Sequence, residues 1–390
     1  MQKTCPKRDK LFFYNNWYSL YLYPKHKHSK GKNVPIKMIA TSQFEKLKHG
    51  CGGPILEGDF SLKNLIKKIG KGPKLSMDLS FDEAHAAMTQ ILDGTATPAQ
   101  TGAFLVALRM KSESAVELAG MTKALREVSN RVSHDLPKLL ELAPAHDGKN
   151  KTPVLSPFVA LALAQTGVKV VVTSGVDVPT KKGLTPRAVF QELGHPINAT
   201  ADKIPELLHK CGVAYFDVSA FCPALEKLKN LRDSLGLRTP LNSVEKIIRA
   251  TQSTHLCTGV YHGPYLKELA LACQILGDDN VLCAQATEAS TDLPLKKRTL
   301  YRRVFNNQIS EQQEIDPALS GFKRDTSFEM DCSTANSVVE AVQGALRSRS
   351  GVLFDTLIYN VAAQLWFVES RAHFEEAIEP ARELVHALKI

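Results

Sequence analysis

Arg232 and Arg238 stand six residues apart in R-D-S-L-G-L-R-T (Arg232–Thr239), on either side of a glycine. A guanidinium presents a planar fork of donors, so such a pair can hold a carboxylate or a phosphate bidentately. The same spacing also suits a solvated helix end, where arginine complements the C-terminal dipole, and local chemistry alone favours that plainer reading. A second candidate is Ala143–Lys151, A-P-A-H-D-G-K-N-K. Backbone N–H groups converge on an anion most easily where the chain adopts conformations that a Cβ disfavours, so phosphate loops are rich in glycine. Here Gly148 is the single glycine, beside Asp147, Lys149 and Lys151. Positive charge is kept while the glycine-rich cradle is lost.

Basic clusters add a third kind of chemistry. Lys63, Lys67, Lys68, Lys71 and Lys74 share one stretch without an acid. Lys296, Lys297, Arg298, Arg302 and Arg303 share another, with Tyr301 among them. Lys149 and Lys151 are followed further along by Lys181, Lys182 and Arg187. Such clusters neutralise phosphates and release counterions, and an interleaved aromatic can stack on a base. Any one of them is also what an ordinary solvated face looks like. The histidines lack a nucleophile or carboxylate partner in sequence, and no G-x-S-x-G, H-E-x-x-H, Walker loop or G-x-G-x-x-G occurs.

The chain that must position these groups has 390 residues and a net charge of +9. That charge is unevenly spread. Residues 1–37 hold nine Lys/Arg and one Asp, while the rest holds 40 basic and 39 acidic residues. An anionic partner must therefore be argued from local clusters and not from the bulk pI. No apolar run of about 18 residues is present, so no membrane span is expected. Eight cysteines without C-x-x-C spacing point to a reducing, cytoplasmic setting and to no metal site.

Residues 1–58 show neither helical nor strand periodicity and read as a basic extension, disordered or arising from a mis-assigned start. From Ser61 the pattern is helical. Leu62, Leu65, Ile66 and Ile69 form one apolar stripe. Ser80-Phe-Asp-Glu83 is a capping box, Thr97-Pro98 opens the next helix, and Ser112–Asn130 reads as another. Residues 59–135 are thus expected to form a helical domain, joined by helices from about 200–235. From about residue 140 to the C-terminus, helices alternate with apolar runs such as Val168–Val172, Val213–Val218 and Asn280–Ala284, with a helix expected over Glu245–Ala250. That alternation predicts an α/β domain with a mostly parallel sheet.

L-x-G-x-x-T-P-A-Q-x-G-A-F-L-x-A-L-R (Leu92–Arg109) and the R-x-x-L-G-x-R-T segment resemble the superfamily of anthranilate and pyrimidine-nucleoside phosphoribosyltransferases, over roughly residues 60–385. The resemblance implies a small helical domain and a large α/β domain. If the chain were such an enzyme, Asp147, Gly148, Ser156, Arg232 and Arg238 would be its substrate contacts, Arg232 taking the carboxylate of anthranilate, and magnesium its cofactor. Family motifs are altered where that chemistry occurs. G-T-G-G-D appears as His146-Asp147-Gly148-Lys149, N-x-S-T as Val154-Leu-Ser-Pro157, and K-H-G-N as Thr173-Ser-Gly-Val176. The adjacent Asp-Glu pair falls near Thr287–Asp292, where Glu288 and Asp292 are not adjacent. The chain also resembles the YbiB-type branch in Lys67–Gly72, Ser219–Lys227, His146–Lys151 and Asp177–Lys181. That branch implies a cytoplasmic homodimer, associated through its helical domain, that binds nucleic acid with little sequence preference and needs neither catalysis nor a cofactor. The three basic clusters would line its groove.

Overall fold

The computed structural model describes residues 60–72, 74–324 and 330–390. The expectations of disorder or of a mis-assigned start concern residues outside the described ones. Four helices form a layer: α1 (Leu62–Ile69), α2 (Phe81–Leu92), α3 (Pro98–Lys111) and α4 (Ala115–Glu127). Three of them begin with a capping box. Ser80 Oγ accepts from the Glu83 N–H (3.2 Å) while Glu83 accepts from the Ser80 N–H (2.7 Å), and Thr97/Gln100 and Ser114/Glu117 repeat the arrangement. Each cap is worth about 1 kcal/mol and fixes where its helix starts. The expected helix over Ser112–Asn130 is shorter for this reason. Ser112, at φ 70°, closes α3, and Ser114 caps the next helix. The apolar stripe of α1 is confirmed, with Leu62, Leu65 and Ile69 buried and Lys63 and Lys67 facing water.

The larger part is an eight-stranded sheet. Its strands are β1 (Leu139–Ala143), β2 (Lys169–Ser174), β3 (Val213–Asp217), β4 (His255–Val260), β5 (Val281–Gln285), β6 (Thr299–Phe305), β7 (Gln308–Ile309) and β8 (Gln313–Ile315). The order is β3-β2-β1-β4-β5-β6-β7, with β8 on β6; β1 to β5 run parallel and β6 to β8 are antiparallel additions. The connecting helices are α5 (Ser156–Ala164), α6 (Pro186–Glu192), α7 (Ile204–Cys211), α8 (Val218–Phe221), α9 (Pro223–Lys227), α10 (Lys229–Leu235), α11 (Leu241–Val244), α12 (Tyr265–Ile275), α13 (Ala335–Ser348), α14 (Val352–Val368) and α15 (Ile378–Ala387). The helix expected over Glu245–Ala250 is instead α11 followed by a 3₁₀ turn at Glu245–Ile247.

Both sheet faces are covered, which is why the parallel strands read as continuous apolar runs. Leu139 and Ala143 point into one core, which also holds the helical layer; Leu140 and Leu142 point into the other, built on α5 and α14. The two parts meet where α12 and α11 pack on α4 and where α10 packs on α3. Among the described residues no single helix is long and apolar enough to cross a membrane, and the apolar α14 is buried in the second core.

Candidate functional site

Parallel strands place the loops that follow them at one edge, outside their carboxyl ends, where α/β proteins bind ligands. The loop after β1 (His146–Thr152) therefore lies beside those after β2 (Gly175–Leu184) and β5 (Thr287–Asp292). Gly148 has φ 76°, and a Cβ there would sit 2.3 Å from the Gly183 carbonyl oxygen. Its glycine character serves this crossing of two loops, where Lys149 N–H donates to Leu184 O (2.9 Å) and Leu184 N–H to Lys149 O (2.9 Å).

The charges at this edge are matched internally. Arg238 donates to both oxygens of Asp147, through Nε to Oδ2 (2.9 Å) and through Nη2 to Oδ1 (2.8 Å). Arg232, buried, makes a two-point pair with Glu245 (2.7 and 3.3 Å). Both arginines thus form the bidentate pairs their spacing suggested, but with carboxylates of the same chain. Lys246 is buried and donates to the Gly259 carbonyl; burial, with Arg238 nearby, pushes its ammonium down to about 8. Burial holds the Glu245 carboxyl up, but Arg232 and its neighbours outweigh it and bring it below the usual range. His146 is fully buried against Phe221 and beside Glu245, Arg232 and Lys246, and desolvation pushes it down to about 4. It is neutral at physiological pH, and both its ring nitrogens lack a protein partner. Ser156, at the start of α5, is buried with its hydroxyl likewise unpartnered.

The lysines of the loop are engaged too. Lys149 is buried, and its Nζ donates to Asp292 Oδ2 (2.7 Å), Pro153 O (2.6 Å) and Thr287 Oγ1 (3.0 Å). Burying an ammonium demands this matching, so Lys149 is not the free phosphate contact expected of it. Lys181 donates to Gly148 O (2.7 Å) and to Glu288 (3.1 Å). Glu288 in turn accepts from three consecutive backbone N–H groups, those of Asn150 (3.0 Å), Lys151 (2.9 Å) and Thr152 (3.1 Å), and from the Thr152 hydroxyl (3.1 Å). Burial opposes its ionisation, but these donors and Lys181 hold its carboxyl down to about 2. A convergent set of amides with a lysine beside it is an anion-binding nest, and here the anion is the chain's own.

The remaining basic residues divide into two groups. Lys182 pairs with Asp233 (2.8 Å), Arg187 with Asp217 (3.3 Å), Lys68 with Glu83 (2.5 Å) and Arg298 with Glu314 (2.9 Å). Arg302 donates to Ser310 O (2.7 Å), and Arg303 lies over the rings of Trp366 and Phe367, 5.0 and 5.6 Å from their centroids. Tyr301 is buried with its ring edge against Trp366, so it offers no surface to a base. Lys63, Lys67, Lys71, Lys74, Lys151, Lys296 and Lys297 are exposed and form no ion pair among the described residues. Four of these seven belong to α1 and the turn after it.

The carboxylates near β5 do not fit a magnesium ion as they stand. Asp292 accepts from Lys149 and from the Leu155 N–H (3.1 Å), and Glu288 from the nest, so their oxygens meet hydrogen-bond donors and not a shared cation. Among the described residues no group of three or more His, Cys, Asp or Glu side chains converges. The sequence offered no signal for Glu245 and Lys246, because an adjacent Glu-Lys pair before apolar residues reads as an exposed helical turn. It placed Glu288 near the site but could not show which way its carboxylate faces.

A helical bundle set on a doubly covered parallel sheet, with charged loops gathered at the strand carboxyl ends, defines an α/β architecture of the kind that takes ligands at that edge. The chain belongs to a glycosyl transferase family: the model of its helical bundle domain matches residues 63–129, and that of its a/b domain residues 147–387. It is 26% identical over 308 residues to the anthranilate phosphoribosyltransferase of Alkalilimnicola ehrlichii, covering 79% of this chain and 90% of that protein. It is 30% identical over 262 residues to an uncharacterized protein of Aquifex aeolicus, covering 67% and 79%. Among solved structures, the fold matches anthranilate phosphoribosyltransferase from Thermus thermophilus with a TM-score of 0.70 at 22% identity, covering 84% of this chain and 94% of that one. The Saccharomyces cerevisiae enzyme in complex with PRPP and Mg matches with a TM-score of 0.71 at 18% identity, covering 85% and 94%.

Proposed function

We propose that this protein binds nucleic acid without sequence preference, on a phosphoribosyltransferase scaffold whose phosphate cradle is filled from within. The observation that carries the reading is the contrast in charge. The edge at the strand carboxyl ends is neutralised pair by pair, whereas Lys63, Lys67, Lys71 and Lys74 are exposed together and form no ion pair among the described residues. Unpaired lysines at this density suit phosphates spaced along a backbone. Lys151, Lys296 and Lys297 offer further free charge; Lys296 also borders a cavity of about 120 Å³ next to Thr152. The test is anisotropy of a labelled oligonucleotide across a salt series, with the full chain and with its Lys67→Ala/Lys71→Ala/Lys74→Ala variant. Weaker binding and a flatter salt slope in the variant uphold the reading; equal binding and equal slope sink it and leave residues 1–37 as the source of any affinity.

A second reading is phosphoribosyl transfer to anthranilate. It is favoured by the relatives' own names, which are those of transferases at 24–27% identity over about 90% of their length; nothing in those relatives speaks for loss of activity or for DNA binding. Arg232 would then have to leave Glu245 to take the acceptor, and magnesium belongs to this reading alone. Pyrophosphate release from phosphoribosyl diphosphate that depends on anthranilate would establish it. Either way we infer a homodimer through the helical layer, where Leu75, Met77, Met110 and Val116 are exposed around the Asp78–Lys111–Glu117 bridge. Sedimentation of the Met77→Glu/Met110→Glu variant as a monomer, with wild type as a dimer, checks this.

A further inference from the structure

We propose that Arg303, His255 and Lys138 form a binding site for a small oxyanion, a carboxylate or a phosphate, at the amino edge of the sheet, opposite the edge that carries the loops described above. The inference goes beyond the nucleic-acid reading and stands or falls apart from it.

Strand order brings the three residues together. His255 opens β4 and pairs with Leu140 of β1, and Lys138 precedes Leu140 by two residues. β6 runs antiparallel, so its last residues return to the edge where β4 begins, and Arg303 pairs with Leu282 of β5 one row further in. α14 covers this face. Its Phe367 ring lies 5.5 Å from the His255 ring and 5.6 Å from the Arg303 guanidinium, so the two basic groups share one aromatic neighbour. Trp366 lies 5.0 Å from the same guanidinium. Phe305, two residues on from Arg303 and therefore on the same face of the strand, is 46% exposed and offers apolar surface beside the charge.

The cations here are not matched as those elsewhere are. Arg126 has Asp278 and Arg232 has Glu245. Arg303 is half-buried, yet its side chain makes no ion pair and no hydrogen bond among the described residues, and its Nε is shut away from water without a partner. Burial holds its guanidinium below the usual range. A cation–π contact places a guanidinium but supplies no acceptor for its N–H groups. Lys138 is exposed and likewise forms no ion pair among the described residues. Arg249 adds positive charge nearby, but it is tied to Ser253 and Asp278. An oxyanion would supply what is missing, because its paired oxygens match the guanidinium fork.

His255 couples the site to a proton. Thr254 Oγ1 donates to Leu139 O (3.1 Å) and accepts from Leu139 N–H (2.8 Å), so its contact with His255 Nδ1 (3.0 Å) takes the imidazole N–H. Nε2 is left with its lone pair and makes no hydrogen bond among the described residues. Burial, then Lys138, Arg249 and Arg303, push the ring down to about 4, while Asp279 pulls the other way. On α14 the charged residues that follow Phe367, Glu369 and Arg371, pair with each other (2.6 Å). A bound anion offsets the three cations, so Nε2 takes a proton from solvent and becomes a further donor.

The chain has two tryptophans, Trp17 and Trp366, so in a Trp17→Phe background the emission of Trp366 reports on Arg303. The experiment titrates sodium sulfate, whose charge is constant near neutral pH, into this full chain at constant ionic strength. We expect a saturable change in emission. Arg303→Met should weaken the binding about tenfold or more, since a bidentate contact is lost, and Lys138→Ala, at an exposed position, about threefold. Affinity should rise about tenfold from pH 7 to pH 5, and His255→Gln should flatten that rise. No saturable change, or equal sulfate affinity in Arg303→Met, overturns the proposal. If Arg303→Met does not fold, unchanged affinity in Lys138→Ala together with a pH profile unmoved by His255→Gln overturns it. Acetate and inorganic phosphate, titrated at pH 7, then separate the two sources: whichever binds more tightly identifies the group the site takes, and either upholds the site. The response should persist in the Lys67→Ala/Lys71→Ala/Lys74→Ala variant. Its failure therefore leaves the lysines of α1 untouched, and failure of oligonucleotide binding leaves this site untouched.

Discussion

The loops at the strand carboxyl ends and the outer face of α1 are both rich in basic residues, yet they treat charge in opposite ways. At the loops the buried cations have partners, Arg232 in Glu245 and Lys149 in Asp292, and the half-buried Arg238 has Asp147. On α1 and the turn after it only Lys68 has a carboxylate partner, Glu83, while Lys63, Lys67, Lys71 and Lys74 form no ion pair among the described residues, Lys67 reaching only the Asn64 amide oxygen (3.4 Å). The difference follows from solvent. A charge taken out of water must be matched on the spot, whereas an exposed lysine is hydrated and gains little from a partner. A cluster of lysines in sequence is therefore no measure of free charge. What remains available to a partner is what the fold leaves unmatched.

The largest expected effect breaks a buried pair. Glu245→Ala strands Arg232, and Lys246 with it, and should cost about 3–5 kcal/mol in denaturant unfolding. Lys63→Ala should stay within about 0.5 kcal/mol. If the two substitutions cost the same, the contrast between the regions is wrong.

Acid should reach the loops next. His146 is held at about 4 against an ordinary 6.5. Its neutral form is favoured by folding, so the stability it contributes is present above 6.5 and is lost as pH falls from 6.5 through 4. In His146→Gln that loss should shrink by about 2–3 kcal/mol at pH 4, measured by chemical unfolding at stepped pH. A residual slope is expected from His255, also held at about 4, first by burial and then by Lys138 and Arg249.

Glu288 extends the same comparison to lower pH. Its carboxyl sits near 2 against an ordinary 4.5, so its contribution is present above 4.5 and disappears as pH falls towards 2. Allowing for solvent at its open edge, that contribution is about 2 kcal/mol. Wild type and Glu288→Gln should therefore converge in stability as pH drops through this window, and parallel curves would show that the nest does not hold the carboxylate.

The smallest effect lies on α1 and the turn after it. Each of Lys67→Ala, Lys71→Ala and Lys74→Ala should lower the salt slope of oligonucleotide binding by about 1, for every sequence alike. Lys149→Ala should leave the slope unchanged while destabilising the fold, because its charge is already spent on Asp292. A slope change for Lys149 equal to that for Lys71 would erase the distinction between the two regions.

Sequence alone determined the architecture. The stripe of Leu62, Leu65 and Ile69, the Ser80 and Thr97 caps and the apolar runs that became β2, β3 and β5 are local signals, and the helical layer and parallel sheet follow from them. It also showed that the Gly148 loop lacks a glycine-rich cradle. It separated two helices at Ser112 but began the second there and not after the Ser114 cap, since a capping serine beside other polar residues looks like any polar position, and it took Glu245–Ala250 for a regular helix. Which cations are free was decided only by tertiary structure. Asp147 meets Arg238 across 91 residues, Lys149 meets Asp292 across 143, and Glu288 reaches the Asn150 amide across 138. Periodicity and capping act over a few residues, whereas charge matching is settled by which loops the strand order brings to one edge of the sheet.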